Sequence, residues 1–563
     1  MRRDFAHRTC SRNISGTGPG MSFLQASPWP CARTTSRTFS RMTSRIWRYI
    51  ARWLVALVFF AFPAGATEHV GAAPDDTLRV ITHIAASWVV GNSVVEPLVG
   101  VDNENQFVPR LAERWEITDT HMDLHLRQGV VFHDGTPFDS HAVRRNWERY
   151  VETAAQVTPY FTLDLRRAVQ DVEAVNDFLV RMHFKPNGFV GQMMVYLRAF
   201  YIYSPSFFEH TAGRYPPGNQ ANILQAGPWG TGPYVVRDVS SNGAVTTLER
   251  NPDYWRPGFP RTSHLFIYSP RAVDSQSAYQ WLIDGKADLF DAGTPSMLPL
   301  LRGHAHLNRV ITHPTSHLTT LFNTRKPGTP LRDIRVRQAL NYLVDRHTLL
   351  RYVSRDTARM VAFILPLDQA KGLQPYPFDP QAAQELLRAA GFGPDNPLSL
   401  IIGYFMSEER LARAISAMLQ AGGVEVELVR YDTRQEYYQR IKNYTHGPDN
   451  PIKAERWDLS IVQSGLYTNT VTTHFEAFFS EGGNRWIEID QRADELFLRA
   501  MRARTPKEVH DALANMEIYL HKQHYSMPLF IWPSIFIMNQ RIARNTFSGS
   551  GYLLNLGEIA IAP

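Results

Sequence analysis

The sequence contains very little cysteine: among 563 residues there are two, Cys10 and Cys31. Both precede the apolar run Trp53–Phe62, so the chain beyond that run has no thiol. Their position excludes a disulfide framework, a cysteine metal site and a cysteine nucleophile from the part of the chain that could fold into domains.

A long hydrophobic run is also missing. The apolar run Trp53–Phe62 is too short to cross a bilayer core of about 30 Å. It follows four arginines between positions 41 and 52, and the small residues of Pro63–Ala66 after it suit a signal peptidase. We therefore predict that residues 1–66 are an N-terminal extension and a cleaved secretory signal. A periplasmic protein without a lipid anchor follows, and a retained membrane anchor is the alternative.

An excess of positive charge is confined to the same end. The chain has a net charge of +6, but residues 1–66 hold ten arginines and one acidic residue, Asp4. Without their net charge of +9 the remaining chain has a net charge of −3. This mild negative charge argues against a nucleic-acid partner.

The usual sequence motifs of enzymes are absent as well. The glycine-rich segment Gly227–Tyr234 lacks the Gly-Lys-Ser/Thr of a phosphate loop, and no Gly-x-Ser-x-Gly elbow occurs. His121 and His125 lie in an alternating strand pattern, which separates them by about 13 Å, too far for one metal ion. We predict a protein that is not an enzyme and holds no metal and no cofactor. A periplasmic hydrolase is the alternative.

Strand and helix signals alternate along the rest of the chain, which predicts a mixed α/β protein. The predicted elements are strands at 76–82, 115–118, 122–127 and 130–133, a helix capped by Asp139 up to 151, helices within 273–285 and 333–352, a helix over 379–390, a β-α-β unit over 397–430, a helix over 506–523 capped by Thr505, and a strand over 527–532.

One stretch, RQGVVFHDGTPF over 127–138, places His133 beside Asp134 and could be an acid/base pair. However, Asp134-Gly135 is strong turn chemistry, and adjacent residues at a strand end point to opposite faces. We interpret the stretch as a corner of the scaffold.

Five sequence blocks then stand in an order that resembles the family 5 extracellular solute-binding proteins, the binding components of dipeptide, oligopeptide and nickel ABC importers. The resemblance covers roughly residues 76–535. The blocks are Pro109–Phe138, Gly230–Tyr234 with Arg250–Trp255, Leu282–Asp288, Phe322–Arg346, and Asp379–Phe392 with Met527–Leu529.

The resemblance implies an α/β fold: a two-lobed periplasmic binding protein (type II, cluster C) with an extra domain in its first lobe. The domains expected from it are 67–100, 221–312 and 528–563 for the core of lobe 1, 101–220 for the extra domain, and 313–527 for lobe 2. It also implies a monomer that binds a small peptide-like or chelate ligand by cleft closure and passes it to an ABC permease in the inner membrane.

The chain departs from the family at the motif that carries an aspartate for the ammonium group of a bound peptide. Asn469 stands at that position, and residues 461–474 contain no Asp or Glu. An unpaired ammonium group in a closed cleft is costly. We therefore expect a peptide with a blocked or modified N-terminus, or a peptide-derived metallophore such as a methanobactin. The alternatives are a nickel or other metal chelate, and a periplasmic sensor or chaperone that does not import.

Aromatic residues in predicted turns and loops suit the lining of a ligand cleft, and polar residues nearby can fix the ligand's orientation. Arg485 is available for a carboxylate or sulfate of the ligand. The predicted ligand-binding residues are Trp88, Trp229, Asn323, Tyr467, Asn469, Arg485 and Trp486.

Overall fold

The structure is a computed structural model that describes residues 76–83, 86–102, 106–157, 164–211, 229–354, 357–364, 372–433, 436–437, 457–465, 475–481, 485–543, 546, 549–550 and 553–562. The chain divides into two units, Met1–Ala72 and Ala73–Pro563, and every described residue belongs to the second. The predicted extension and signal, residues 1–66, lie outside the described residues.

Most strands belong to one large mixed sheet. Within the described residues this sheet has eleven strands in the order β10-β11-β12-β1-β13-β19-β14-β18-β16-β17, with β15 paired to β19. A separate four-stranded sheet has the order β5-β6-β8-β7. The strands are β1 (Thr77–Ile81), β2 (Glu96–Pro97), β3 (Val99–Val101), β4 (Phe107–Pro109), β5 (Ala112–Ile117), β6 (His121–Leu126), β7 (Val169–Asn176), β8 (Leu179–Phe184), β9 (Tyr201–Ile202), β10 (Tyr234–Val239), β11 (Val245–Arg250), β12 (His264–Tyr268), β13 (Leu289–Gly293), β14 (Leu307–Phe322), β15 (Arg359–Met360), β16 (Leu398–Phe405), β17 (Val424–Tyr431), β18 (Leu459–Gly465), β19 (Ser526–Asn539), β20 (Gly549–Ser550) and β21 (Leu553–Leu554).

Helices connect these strands and cover the sheets. Within the described residues they are α1 (Ala86–Val94), α2 (Ser140–Val157), α3 (Met193–Ala199), α4 (Pro205–Thr211), α5 (Ser275–Ile283), α6 (Ile334–Tyr342), α7 (Arg346–Ser354), α8 (Pro380–Ala389), α9 (Glu409–Ala421), α10 (Gln491–Arg502) and α11 (Pro506–Lys522). One 3₁₀ turn, Val190–Gln192, is important for the contact between lobes described below.

Capping residues set the helix boundaries where the sequence predicted them. Thr505 and Glu508 form a capping box around Pro506 at the start of α11. The Asp139 carboxylate accepts from the backbone N–H of Ala142 (2.8 Å) in the first turn of α2. The predicted β-α-β unit is confirmed as β16-α9-β17, whose two strands are parallel.

Two predicted elements differ from the structure. The single helix expected over 333–352 is two helices, because Asp345 accepts from the backbone N–H of Thr348 (3.1 Å) and begins α7 as a new helix. The strand expected over 130–133 is reduced to one isolated bridge between Val131 and Pro137. The turn at Gly135, whose φ is +84°, folds the segment back too soon for a longer ladder.

The cores separate the sheet into two parts. Leu78, Leu265 and Phe536 belong to a core around β10–β13, which lies next to the four-stranded sheet and its own core. We call these two cores, together with the strands around them, the first lobe. Phe322 and Ile402 belong to a core around β16–β18, which we call the second lobe. β14 and β19 run through both lobes. The exact domain boundaries expected from the sequence remain a proposal.

Candidate functional site

The two lobes are joined by the paired strands β14 and β19. Leu307 of β14 packs in the first lobe, whereas Leu318 of the same strand packs in the second. Between them, Pro314 of β14 faces Pro533 of β19, and the pairing is irregular on both sides of Pro314. Because proline has no backbone N–H, the ladder lacks donors at this point. We refer to this interrupted stretch as the crossing. A rotation of one lobe against the other would disturb the fewest ladder hydrogen bonds at such an interruption.

Parallel strands from both lobes end at the crossing. In the first lobe, β1 and β13 are parallel, and Gly293 at the end of β13 pairs with Ile535, two residues from Pro533. In the second lobe, Gly465 at the end of β18 pairs with Ser316 of β14. Ligands of open α/β sheets bind outside the carboxyl ends of such strands. The crossing is therefore the candidate ligand site.

Two of the predicted ligand residues follow Gly465 in the sequence. Tyr467 and Asn469 come two and four residues after Gly465, and both lie outside the described residues. Trp88 follows β1 and lies within α1, so its prediction as a turn or loop residue was wrong. The helix forms because Val89, Val90 and Val94 give the segment a buried apolar face. The Trp88 side chain lies outside the described part of the chain.

His83, which the sequence prediction did not include, fixes the chain at the end of β1. Its backbone N–H donates to the Asp291 carboxylate (2.9 Å). Its ring nitrogens lie 2.9 Å from the carbonyl oxygen of Val273 and 2.9 Å from Oγ of Ser275. The available signal was its position, since it is a polar residue one place after Thr82 at the end of a buried strand.

Asn323, Arg485 and Trp486 are brought together, but at the other end of the second lobe. Asn323 follows β14, and its backbone N–H donates to the carbonyl oxygen of Asp458 (2.8 Å). The Trp486 ring lies 4.5 Å from the Trp457 ring. Phe322 pairs with Leu459, and this pair lies six residue pairs from the pair of Ser316 and Gly465 at the crossing. The distance between the two places is about 20 Å along the strand. The role of these three residues in binding the main ligand stays a prediction.

Trp229 lies in a loop, as predicted, but its ring is buried in the first lobe with 7% exposure. It packs against the rings of Phe207 (5.9 Å) and His210 (5.3 Å). Its indole N–H is buried and has no acceptor among the described residues. These contacts place the Trp229 ring in the first lobe, against α4.

His133 and Asp134 lie in a turn, and His133 contacts the family block Gly230–Tyr234. His133 donates its backbone N–H to the carbonyl oxygen of Gly230 (2.7 Å), and its ring Nε2 lies 2.9 Å from that of Gly232. Asp134 instead accepts from Ser204 Oγ (2.6 Å). Burial lowers the pKa of His133. The two side chains have different partners, so they form a scaffold joint and not an acid/base pair.

The same joint contains a buried carboxylate. Glu96 accepts hydrogen bonds from the Tyr254 hydroxyl (2.8 Å), the Trp255 indole N–H (2.8 Å) and the Thr231 hydroxyl (3.0 Å). Burial raises the pKa of Glu96, while these donors and Arg110 oppose that effect. A β-carbon at Gly230 would lie 1.8 Å from the Val94 carbonyl oxygen, so this block requires glycine for its close approach.

A cavity of about 80 Å³ lies beside Glu96 in the first lobe. Its charged lining is paired within itself, since Arg110 and Arg256 both contact Glu558, at 3.5 Å and 2.6 Å. The polar network fixes the chain around 554–558 against the joint. We interpret it as a structural feature.

The lobes also touch away from β14 and β19. The 3₁₀ turn Val190–Gln192 places Gly191 against α10, where a β-carbon would lie 2.7 Å from the Ala500 carbonyl oxygen. Arg504 donates from Nη1 to the carbonyl oxygen of Thr118 in the first lobe (3.2 Å). Phe189 is buried in a core otherwise built from the second lobe. The described conformation thus has the two lobes in contact at a second place.

Metal-ligand clusters and membrane-spanning helices are both absent from the described residues. No group of three or more His, Cys, Asp or Glu side chains in the described ranges could hold a metal ion. In the same ranges, no helix is long and apolar enough to cross a membrane.

Residues 106–486 match the family model described as bacterial extracellular solute-binding proteins, family 5 Middle. The match covers more than half of the chain. The chain belongs to this family. Its sequence is 26% identical over 355 residues to the glutathione-binding protein GsiB of Salmonella paratyphi A, covering 61% of this chain and 66% of GsiB. It is 27% identical to heme-binding protein A of Haemophilus influenzae, over 58% of this chain and 61% of that protein.

These alignments span less than two thirds of the length of the two relatives. Solved structures cover more. NikA from Brucella suis in complex with Fe(III)-EDTA aligns with a TM-score of 0.73 at 19% identity, over 86% of this chain and all of NikA. DppA from Helicobacter pylori in complex with the peptide STSA gives 0.67 at 17% identity, over 86% of this chain and 98% of DppA.

The similarity to known proteins confirms three of the predictions made from the sequence: the family, the fold and the absence of enzyme activity. The family resemblance is confirmed, and so is the α/β fold of a two-lobed periplasmic binding protein. The family and its named relatives are binding proteins, which confirms the prediction that the chain is not an enzyme. The extra domain and the individual ligand residues stay predictions.

Proposed function

We propose that this family member is a periplasmic solute-binding protein of an ABC importer, which closes its two lobes on a peptide-like ligand. The crossing carries the proposal: β13, which is parallel to β1, and β18, which is parallel to β16, both end there, and Pro314 faces Pro533 between the lobes. A ligand held at this place contacts both lobes and so favours the closed form. Delivery to a membrane permease follows from family membership.

The ligand class is narrowed by the charge of the segment after β18. Residues 461–474 contain no acidic side chain, so this segment offers no ion pair to a free ammonium group. Relatives are named for glutathione and heme, and structural neighbours hold a peptide or a metal chelate. We propose a peptide with a blocked or modified N-terminus, including a peptide-derived metallophore such as a methanobactin. A nickel or other metal chelate is the alternative ligand.

Native mass spectrometry of the protein purified from the periplasm of its own bacterium tests this proposal. We expect an added mass that fragments as a modified peptide or as a peptide chelate. Small-angle scattering should then show a smaller radius of gyration when the recovered compound is added back. A chain that carries no solute, and binds none of glutathione, acetylated peptides, heme or nickel–histidine, would contradict the proposal.

Uptake distinguishes an importer from a sensor. Deleting the gene should abolish accumulation of the isotope-labelled solute, and restoring the full chain should recover it. Unchanged uptake, with a change only in the transcriptional response to the solute, would instead support the sensor alternative.

A further inference from the structure

Two arginines that are 160 positions apart lie side by side in the second lobe. Arg325 follows β14, and Arg485 precedes α10. Arg325 donates from Nη1 to the backbone carbonyl oxygen of Arg485 (3.0 Å), and Arg485 donates from Nη1 to that of Ser480 (3.3 Å). Both guanidinium groups are thus held by backbone oxygens, which carry no full negative charge.

Neither guanidinium has a carboxylate within ion-pair distance among the described residues. Their neighbours differ in this respect: Lys326 contacts Asp458 at 2.8 Å, and Arg332 contacts Glu488 at 2.6 Å. Nε of Arg485 is buried and has no acceptor in the described part of the chain. The pair therefore keeps N–H donors for which the described residues offer no acceptor.

The surroundings make two unpaired cations unfavourable. Burial, together with the smaller effect of the Arg485 charge, lowers the pKa of Arg325 to about 10. Burial also lowers the pKa of Arg485, against a weaker opposing effect of Asp494. Two half-buried positive charges repel each other, and a bound anion would remove that repulsion.

We propose that Arg325 and Arg485 together form a binding site for an oxyanion: a phosphate, a sulfate or a carboxylate. The planar guanidinium group presents its donors as a fork that fits two oxygens of such a group. Arg485 directly precedes Trp486, whose buried ring lies 4.5 Å from the buried Trp457 ring. This site lies about 20 Å from the crossing along β14, so it does not depend on the proposed function.

Sulfate binding to the full chain tests the site. Thermal unfolding is followed while sodium sulfate replaces sodium chloride at constant ionic strength, for the wild type, Arg325→Gln, Arg485→Gln and the control Arg332→Gln. We expect the wild type and the control to show a saturable rise of several degrees in Tm, and both pair variants to lose it. An equal rise in all four proteins would overturn the proposal, because sulfate also stabilises proteins nonspecifically.

A second measurement covers the case in which a variant folds poorly. Arg325→Lys keeps the charge but loses the planar fork, so sulfate affinity measured by calorimetry should fall severalfold and not vanish. Unchanged affinity in this variant would contradict the assigned geometry. Competition between sulfate and the main solute would show that the oxyanion belongs to that solute, whereas independent binding would show a separate anion.

Discussion

A β-carbon at Gly191 would lie 2.7 Å from the carbonyl oxygen of Ala500, because these residues of the two lobes are in direct contact. This contact exists only while the lobes are together at the place seen here. It connects a turn of the first lobe with the end of α10, away from the crossing. A residue that touches no ligand can therefore influence how tightly a ligand is held.

We expect Gly191→Val to weaken ligand binding about 5- to 150-fold, since overpacking costs roughly 1–3 kcal/mol. The affected equilibrium is that between separated and closed lobes. Scattering should show a larger radius of gyration for the ligand-bound variant. Gly303→Ala is the matched control, because a β-carbon there meets nothing within 4 Å. Equal affinity of both variants would show that the contact does not hold the closed form.

Acid should destabilise the protein through buried histidines. His317 is fully buried near the Phe363 carbonyl oxygen (2.8 Å), and burial lowers its pKa from the ordinary 6.5 to about 4. The unfolded chain takes up the proton first, so stability is complete above about pH 6.5 and falls as the pH approaches 4. His521 and His524, whose pKa values burial also lowers to about 4, contribute in the same direction.

Urea unfolding between pH 7 and pH 4 measures this loss, which is about 3 kcal/mol for His317 alone. His317→Gln keeps a donor for the Phe363 carbonyl oxygen but does not titrate, so its loss of stability over this range should be smaller. His347→Gln, at an exposed position of α7, should behave as the wild type. Parallel curves for all three proteins would refute the assignment.

Glu96 should be needed for the stability of the first lobe. Glu96→Gln removes the negative charge that strengthens the hydrogen bonds from Thr231, Trp255 and Tyr254, and one end of the new amide is a donor where the carboxylate accepted. We expect a loss of about 1–3 kcal/mol in the free energy of unfolding. Glu113→Gln, on the exposed side of β5, should change it by less than about 0.5 kcal/mol. Equal effects of the two substitutions would count against this role.

The lack of an acidic anchor leads to a prediction at Asn469. Asn469→Asp should leave the affinity for the natural solute unchanged or lower, since that solute is proposed to carry no free ammonium group. Calorimetry with one peptide, in free and in N-acetylated form, provides the comparison, and Asn515→Asp on the exposed face of α11 controls for added charge. A higher affinity of Asn469→Asp for the natural solute would contradict the hypothesis of a blocked N-terminus.

Local chemistry explains what could be predicted from the sequence. The capping box of Thr505 and Glu508, and the parallel unit β16-α9-β17, depend on residues close in the chain, so their patterns are readable. The family blocks predicted the two-lobed fold because their order is a property of the whole chain. Trp88 was misplaced because the flanking small and polar residues favour turns, whereas packing of its valine neighbours favours a helix.

Contacts between distant segments could not be predicted. Arg325 meets Arg485, and Gly191 meets Ala500, only after both strands and helices are in place. Neither pair has a sequence spacing that indicates contact. The length of β14 could not be predicted for a related reason. A proline in the middle of a segment, here Pro314, argues against a strand unless its pairing with β19 is known.

The order of β19 in the sheet has a consequence for how the protein is made. β19 pairs with β13 of the first lobe and with β14, yet it is the last long strand among the described residues. Neither lobe can complete its sheet until residues 526–539 have been synthesised. Neither lobe can therefore reach its final form before this C-terminal part of the chain is available. Completion of the fold is tied to the arrival of its last long strand.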